Sequence, residues 1–179
     1  FRGETDYKNF DETFNYSEER LKAIWRKYRE NPKLAALHGR NSEHSANQKA
    51  IADTVYDNRK ELGNGTGDGY KYRGRGIMQL TGRHNYTLAT KLYTETFKEK
   101  VDYINHPDLL LKNYKHNVRA SFMDLLGKKC NVYVNIIEND KPGFAKYRKA
   151  FDMIMSKINN GLPKEDKEKR WEYFKENLS

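Results

Sequence analysis

The stretch GYKYRGRGIMQLTGRHNY, from Gly69 to Tyr86, holds the most unusual residues of this chain. Seven of the 12 glycines lie between Gly63 and Gly82, so the backbone there can adopt positive φ or approach a ligand closely. Tyrosines and arginines alternate with these glycines, and amide and hydroxyl side chains follow them. Aromatic faces beside polar groups are typical of a sugar-binding cleft, and a solvated loop is an equally good interpretation of composition alone.

The composition predicts a single folded domain with a basic surface. The chain has 179 residues, a hydrophobic share of 36% and a mean hydropathy of −1.06. An aromatic share of 13% argues against disorder. The net charge of +9 suits an acidic partner, which could be nucleic acid, an anionic membrane surface or an anionic cell-wall polymer. Charge alone does not choose among them.

Several classes of site and segment are not expected. The single cysteine, Cys130, allows no intrachain disulfide and no multi-cysteine metal cluster. No two of the five histidines stand at the i, i+4 spacing of a helical metal pair, so we expect no metal site and no cofactor. We also see no apolar run of membrane-spanning length and no signal peptide. The chain begins at Phe1, and we expect an upstream segment to precede it.

A phosphate loop and a nucleic-acid element are two other interpretations of the glycine-rich stretch. It lacks the Gly-Lys-Ser/Thr ending of a phosphate loop, and no strand with a GxGxxG turn leads into the helix that follows. Three arginines do alternate with three tyrosines, a pattern that binds single-stranded nucleic acid. These six residues are Tyr70, Tyr72, Arg73, Arg75, Arg83 and Tyr86.

Hydrophobic periodicity predicts a mainly α fold with a glycine-rich insert. Ser17 reads as an N-cap of a helix that runs to about Glu30, and Ser45 as the start of a helix that fades at Leu62-Gly63. Val132 to Ile137 fits helix and strand equally well. The other expected helical segments are Leu34–Leu37, a helix from Thr81 or Gly82, Leu109–Leu111, Tyr114–Leu126 with Val118, Phe122 and Leu125 inward, Phe144–Ile158, and a last helix with Trp171, Phe174 and Leu178.

Two carboxylates in the N-terminal segment, Glu4 and Glu12, are candidates for acid and base chemistry. Glycoside hydrolysis needs one protonated carboxyl group for the leaving oxygen and one ionised carboxylate that activates water. The chain has 25 acidic residues, most of which must be surface groups, so spacing alone does not single out this pair.

The segment from Tyr72 to Tyr86 resembles the YxGRGxxQLTGRxNY signature of family 19 glycoside hydrolases. It is most similar to the bacterial and phage lysozyme-like (endolysin) branch rather than to plant chitinases. Three further segments agree in order with family motifs: Glu12–Ser17 with ExxNYS, Ile51–Arg59 with IANxVYxxR, and Ile158–Leu162 with INGGL.

The resemblance implies a lysozyme-like, two-lobed α-helical domain with a small β-hairpin or loop insert, formed by residues 1–179 as one catalytic domain. Glu4 would be the general acid, Glu12 the base of an inverting reaction, and Thr81 the residue that helps hold the attacking water. Gly3 stands where the family usually has His, and Asp6-Tyr7 replaces paired glycines after the acid. The substrate-binding positions would be Tyr72, Arg75, Gln79, Asn85, Asn159 and Arg170.

The resemblance implies a glycosidase that cuts β-1,4 bonds in peptidoglycan or a related amino-sugar polysaccharide, at the cell wall in the periplasm or outside the cell. A chitinase is the enzyme alternative. Because the residues around Glu4 differ from the family pattern, a non-catalytic module that binds wall sugars is a second alternative. A nucleic-acid binder ranks third, since the order of the central motif is too specific for it. The sequence does not identify an immunity or delivery partner.

Overall fold

The computed structural model describes residues 10–112, 114–130, 144–158, 161 and 163–176, which are mainly helical and fall into two compact units, one up to residue 121 and one from residue 122 onward. The mainly α fold is confirmed. A 3₁₀ turn covers Lys60–Leu62. The α-helices are α1 (Glu18–Ile24), α2 (Arg26–Glu30), α3 (Pro32–His38), α4 (Gln48–Tyr56), α5 (Asp68–Lys71), α6 (Arg83–Phe97), α7 (Leu109–Lys112), α8 (Tyr114–Gly127), α9 (Phe144–Ile158) and α10 (Lys164–Glu176).

The expected single helix from Ser17 to Glu30 is two helices. Ser17 is the N-cap, since its side chain accepts a hydrogen bond from the Arg20 amide. Trp25, however, adopts extended dihedrals of φ −115° and ψ 128°, which end α1 and begin α2. Its indole packs edge-on against Tyr16 with ring centroids 5.0 Å apart. Tertiary packing of an aromatic side chain therefore interrupts a helical pattern that periodicity alone would continue.

The N-cap of helix α4 lies two residues after the expected one, Ser45, and the helix ends at Tyr56 rather than near Leu62-Gly63. Asn47, not Ser45, is the N-cap, because its side chain accepts from the Ala50 amide at 3.1 Å. Ile51 and Val55 are buried as expected, and with other buried side chains they form the core of the first unit. That core comprises Phe14, Leu21, Tyr28, Ala35, Ile51, Ala52 and Val55.

Helix α5 packs very closely on α4. A Cβ atom at Gly69 would lie 2.5 Å from the Ala52 carbonyl oxygen, so only glycine fits there. Carboxylates of the α4 region accept hydrogen bonds from backbone amides at the start of α5: Asp57 from Gly69 and Asp53 from Tyr70, at 2.7 and 2.8 Å. Part of the glycine-rich stretch is thus an ordered helical turn rather than a solvated loop.

The small β insert expected from the family resemblance is a tight hairpin. Arg75 and Leu80 exchange backbone hydrogen bonds of 3.2 and 2.8 Å, and Asp11 pairs with Arg75 on the other side as a second antiparallel bridge. The turn between them requires left-handed backbone at Gly76 (φ 77°) and Gln79 (φ 51°). β structure in the described ranges is limited to such isolated bridges.

The expected inward face of α8 is wrong at one position. Phe122 is 58% exposed, whereas Met123, one residue further, is 2% exposed. The neighbouring helical periods place Asn117, Ala120 and Asp124 among the buried residues. The buried face of the helix is therefore rotated relative to the face predicted from its large apolar side chains.

Helices α9 and α10 form a small core of their own. It consists of Phe151, Met155 and Trp171, and the rings of Phe151 and Trp171 lie 5.3 Å apart. Arg148 on α9 pairs with Glu168 on α10. The amphipathic helix from Phe144 to Ile158 is confirmed. The segment Val132 to Ile137 lies outside the described residues.

Candidate active site

Glu12 is held by hydrogen bonds at both carboxylate oxygens. The Tyr56 hydroxyl at the end of α4 donates to Oε1 at 2.8 Å, and the Gly74 amide donates to Oε2 at 2.7 Å. The Glu12 amide in turn donates to the Gly74 carbonyl at 2.7 Å. Backbone and side chain are therefore both attached to the same residue of the glycine-rich stretch, while the carboxylate stays half-buried rather than enclosed.

Because Gly74 has no side chain, the polar side chains of Glu12 and Gln79 can both approach it closely. A Cβ atom built there would lie 2.7 Å from Gln79 Oε1 and 3.1 Å from Glu12 Oε2. The Gln79 amide nitrogen donates to the carbonyls of Phe10 and Gly76, both at 3.1 Å, which directs its Oε1 toward Gly74. The Gln79 amide and the Glu12 carboxylate thus lie beside each other at the open edge of the hairpin.

Thr81 and Asn85 follow Gln79 in a chain of hydrogen bonds. The Thr81 hydroxyl donates to the Gln79 carbonyl at 2.8 Å, and the Asn85 side-chain amide donates to the Thr81 carbonyl at 2.7 Å. Both side chains are half-buried. A hydroxyl oxygen and an amide oxygen can each accept a hydrogen bond, so the polar groups of the motif continue from Glu12 toward the start of α6.

Tyr72 and Arg75, expected as substrate-binding residues, are buried. Tyr72 is 0% exposed and its hydroxyl donates to the Ile104 carbonyl at 3.0 Å. Arg75 is 2% exposed, and its Nη1 donates to the Lys71 carbonyl and the Tyr86 hydroxyl. In this conformation neither side chain reaches solvent, so the geometry favours a supporting role for both.

The alternation of arginine and tyrosine does not form an exposed nucleic-acid surface. Tyr72 and Tyr86 are fully buried, and Arg73 and Arg75 are buried beside Asp11. Arg83 pairs with Asp68 at 2.5 Å. Four of the six side chains that suggested single-strand binding are therefore buried within the motif, and Arg83, whose side chain is 44% exposed, is bound to Asp68.

Burial and the Glu12 carboxylate control the ionisation of two neighbouring tyrosines. Burial, and then the negative charge of Glu12, raise the pKa of Tyr56 far above its usual value. The same two causes raise the pKa of Tyr16. A tyrosine with a raised pKa stays protonated, so Tyr56 is a hydrogen-bond donor to Glu12 throughout the neutral pH range.

The remaining expected site residues lie elsewhere. Glu4 and Asn159 are outside the described residues. Arg170 is exposed on α10, in the second unit. The structure therefore brings together Glu12, Gln79, Thr81 and Asn85. Tyr56, which binds Glu12, is not among the residues predicted for the site, although it lies within the IANxVYxxR segment.

In the described part of the chain, a small cavity lies beside this site, and no metal cluster is present. The cavity beneath the hairpin, beside Met78, Leu80 and Leu110, has a volume of about 10 Å³, enough for about one water molecule. Within residues 10–112, 114–130, 144–158, 161 and 163–176, no group of three histidine, cysteine or acidic side chains could hold a metal ion.

Comparison with known proteins gives one relative of stated family. A Haemophilus influenzae protein named "Glycosyl hydrolase family 19 domain-containing protein" is 44% identical over 85 residues, which cover 46% of this chain and 38% of that protein. The resemblance to family 19 glycoside hydrolases is confirmed. The aligned part spans well under half of the family 19 relative. No family model matches the chain.

The described helices also bear on membrane insertion. Among them, no helix is both long and apolar enough to cross a membrane.

Proposed function

We propose that the protein described here is a glycosidase that hydrolyses β-1,4 bonds of peptidoglycan with inversion, and that Glu12 is its general base. One observation carries the proposal: the Glu12 carboxylate is held by Tyr56 and Gly74 at an open edge, beside the Gln79 amide. A base must be fixed in position and accessible to water, and Glu12 meets both requirements.

The reaction needs one proton acceptor and one proton donor. Glu12 takes a proton from a water molecule while the water oxygen bonds to the anomeric carbon, on the face opposite the leaving group. The bond from the anomeric carbon to the bridging oxygen breaks, and that oxygen takes a proton from the acid, for which the family motif proposes Glu4. Water is consumed, and each cut leaves one new reducing end in the α configuration.

Three neighbouring groups would orient the water and the sugar. The Tyr56 hydroxyl donates a hydrogen bond to one oxygen of Glu12 and the Gly74 amide donates to the other, so the carboxylate cannot rotate freely. Gln79 Oε1 and the Thr81 hydroxyl oxygen offer acceptors for sugar hydroxyls, N-acetyl groups or the attacking water. Asn85, bonded to the Thr81 carbonyl, would extend this polar row along the cleft.

The charge of the chain supports an anionic polymer as substrate. Peptidoglycan carries carboxylates, chitin does not, and the chain has a net charge of +9. We therefore place the activity at the cell wall, in the periplasm or outside the cell, in the lysozyme-like branch of the family. Chitin remains the competing substrate.

Product analysis on two substrates tests this proposal. Purified peptidoglycan and chitin oligomers are each incubated with the protein, and the products are analysed by mass spectrometry and by proton NMR during the first minutes. We expect soluble muropeptides with new reducing ends that appear first as the α-anomer. A β-anomer as first product would contradict Glu12 as base of an inverting reaction, cleavage of chitin alone would identify a chitinase, and binding without new reducing ends would identify a sugar-binding module.

A further inference from the structure

Asp11, the residue before Glu12, is paired with two arginines of the glycine-rich stretch. Its Oδ2 accepts from Arg73 Nη2 at 2.6 Å, and its Oδ1 lies 3.6 Å from Arg75 Nε. Arg75 Nη2 is also 3.0 Å from Asp108 Oδ1. Two positive and two negative side chains thus form one network, joining residues that are more than 60 positions apart to a loop before α7.

The network is fixed in the structure by burial and by backbone pairing. Arg75 is 2% exposed, and Asp11 and Arg75 also form an antiparallel bridge. The next residue on each strand continues the pairing, since the Glu12 amide donates to the Gly74 carbonyl. A shift of Asp11 relative to Arg75 would therefore shift Glu12 relative to Gly74.

We infer that Asp11 is a positioning residue for Glu12: its ion pairs with Arg73 and Arg75 hold the segment that carries the base in register with the hairpin. This inference rests on the proposed function. Asp11 does not touch the reacting atoms in it, because its carboxylate faces the two guanidinium groups. Its contribution acts through the position of Glu12.

Charge, rather than shape alone, is what Asp11 supplies. Without it, Arg73 would lose its ion pair with Asp11, and Arg75 would keep the carboxylate of Asp108, whose side chain is 66% exposed. Removing one partner of a buried pair leaves an uncompensated charge, which is costly and is relieved by movement of the backbone or side chains. A displacement of about 1 Å at a catalytic group can lower a rate by about 100-fold.

The test compares four variants of the full chain on purified peptidoglycan, with kcat, KM and the unfolding midpoint measured for each. Asp11→Asn removes the charge, Asp11→Glu restores it, and Glu12→Gln reports the proposed function itself. Glu99→Gln is the matched control, because Glu99 pairs with Lys115 and Arg119 and, among the residues that the structure describes, makes no hydrogen bond or ion pair with Glu12.

We expect Asp11→Asn to lower kcat by about tenfold or more while KM stays within about twofold. Asp11→Glu should recover several-fold of that loss, and Glu99→Gln should keep the wild-type kcat. A kcat within about twofold of wild type for Asp11→Asn would overturn the inference, as would a Glu99→Gln variant that loses as much.

Failure of the proposed function has a different signature. It would be seen in proteins that keep Asp11: the wild type would release no reducing ends, or Glu12→Gln would be as active as wild type. Should Asp11→Asn not fold, Arg73→Lys replaces it, because lysine keeps the charge but cannot reproduce the guanidinium geometry. A wild-type kcat in Arg73→Lys would then overturn the inference.

Discussion

At the residue scale, the position of Glu12 depends on the absence of a side chain at Gly74. The backbone of Gly74 supplies both a donor and an acceptor to Glu12, and the space above its Cα is bordered by Glu12 and Gln79. Side chains and backbone can approach to hydrogen-bonding distance there because glycine has no Cβ.

A Gly74→Ala substitution tests this arrangement. The new methyl group would lie 2.7 Å from Gln79 Oε1 and 3.1 Å from Glu12 Oε2, so Gln79 must move and Glu12 is crowded. We expect hydrolysis of peptidoglycan to fall about tenfold or more, with a loss of about 1–2 kcal/mol in the free energy of unfolding.

Gly65→Ala is the matched control. Its nearest neighbour would be Asp68 Oδ2 at an ordinary 3.7 Å, and Gly65 does not need left-handed backbone. Its activity should equal that of wild type. Equal activity of Gly74→Ala and Gly65→Ala would contradict the role assigned to Gly74.

The residue scale also shows where sequence patterns are ambiguous. Tyrosine and arginine suit both a sugar-binding surface and a buried hydrogen-bonded motif, and burial decides between the two. Tyr72 is buried with its hydroxyl bonded to Ile104, 32 positions along the chain, and Arg75 is buried while paired with Asp11 and Asp108, which are also distant in sequence. No local pattern specifies such long-range contacts, whereas Glu12, Gln79, Thr81 and Asn85 could be named from the motif.

At the element scale, helix α4 sets the place of Tyr56, and its first turn is specified by Asn47. The Asn47 side chain accepts from the Ala50 amide, while Ser45 lies before the helix. Replacement of an N-cap residue by alanine costs about 1 kcal/mol.

We therefore expect Asn47→Ala to lower the free energy of unfolding by about 1 kcal/mol in denaturant titration, and Ser45→Ala to change it by only a few tenths. The reverse order would show that Ser45 caps the helix after all.

The loop between the 3₁₀ turn and α5 depends on Asp68. Burial raises the pKa of Asp68, but hydrogen bonds from Arg83 and the Gly65 amide outweigh burial and leave the pKa below its usual value. Because the pKa of Asp68 is lower in the folded state, its ionised carboxylate stabilises the fold above the unfolded pKa of about 3.9. This stabilisation is lost as the pH falls through the folded pKa.

The free energy of unfolding of wild type and Asp68→Asn, measured from neutral pH to about pH 2, tests this dependence. Wild type should be the more stable at neutral pH, and its advantage should shrink as the pH falls below about 4. Glu43→Gln, an exposed change, should show no such trend. An advantage that is independent of pH would contradict the ion pair as its source.

Elements were predicted well where local signals agreed and poorly where packing overrode them. The N-cap at Ser17, the start of α6 near Gly82 and helix α9 follow from local sequence. The break at Trp25 and the phase of α8 around Phe122 do not, because each depends on which neighbour the side chain meets.

At the scale of the whole molecule, the described residues form two compact helical units, and the proposed base lies in the first. The family resemblance supplies the proposed acid, Glu4, which lies outside the described residues. The central claim therefore rests on Glu12, whose surroundings are described and whose replacement can be made nearly isosteric.

The measurement that tests this claim most directly is the rate of reducing-end release from purified peptidoglycan by Glu12→Gln. Glutamine can accept from the Gly74 amide and donate to the Tyr56 hydroxyl, so the fold should be kept while the proton acceptor is lost. We predict a rate at least about 100-fold below wild type, with Glu43→Gln at the wild-type rate and both unfolding midpoints nearly unchanged. A Glu12→Gln variant that releases reducing ends at the wild-type rate would contradict the account.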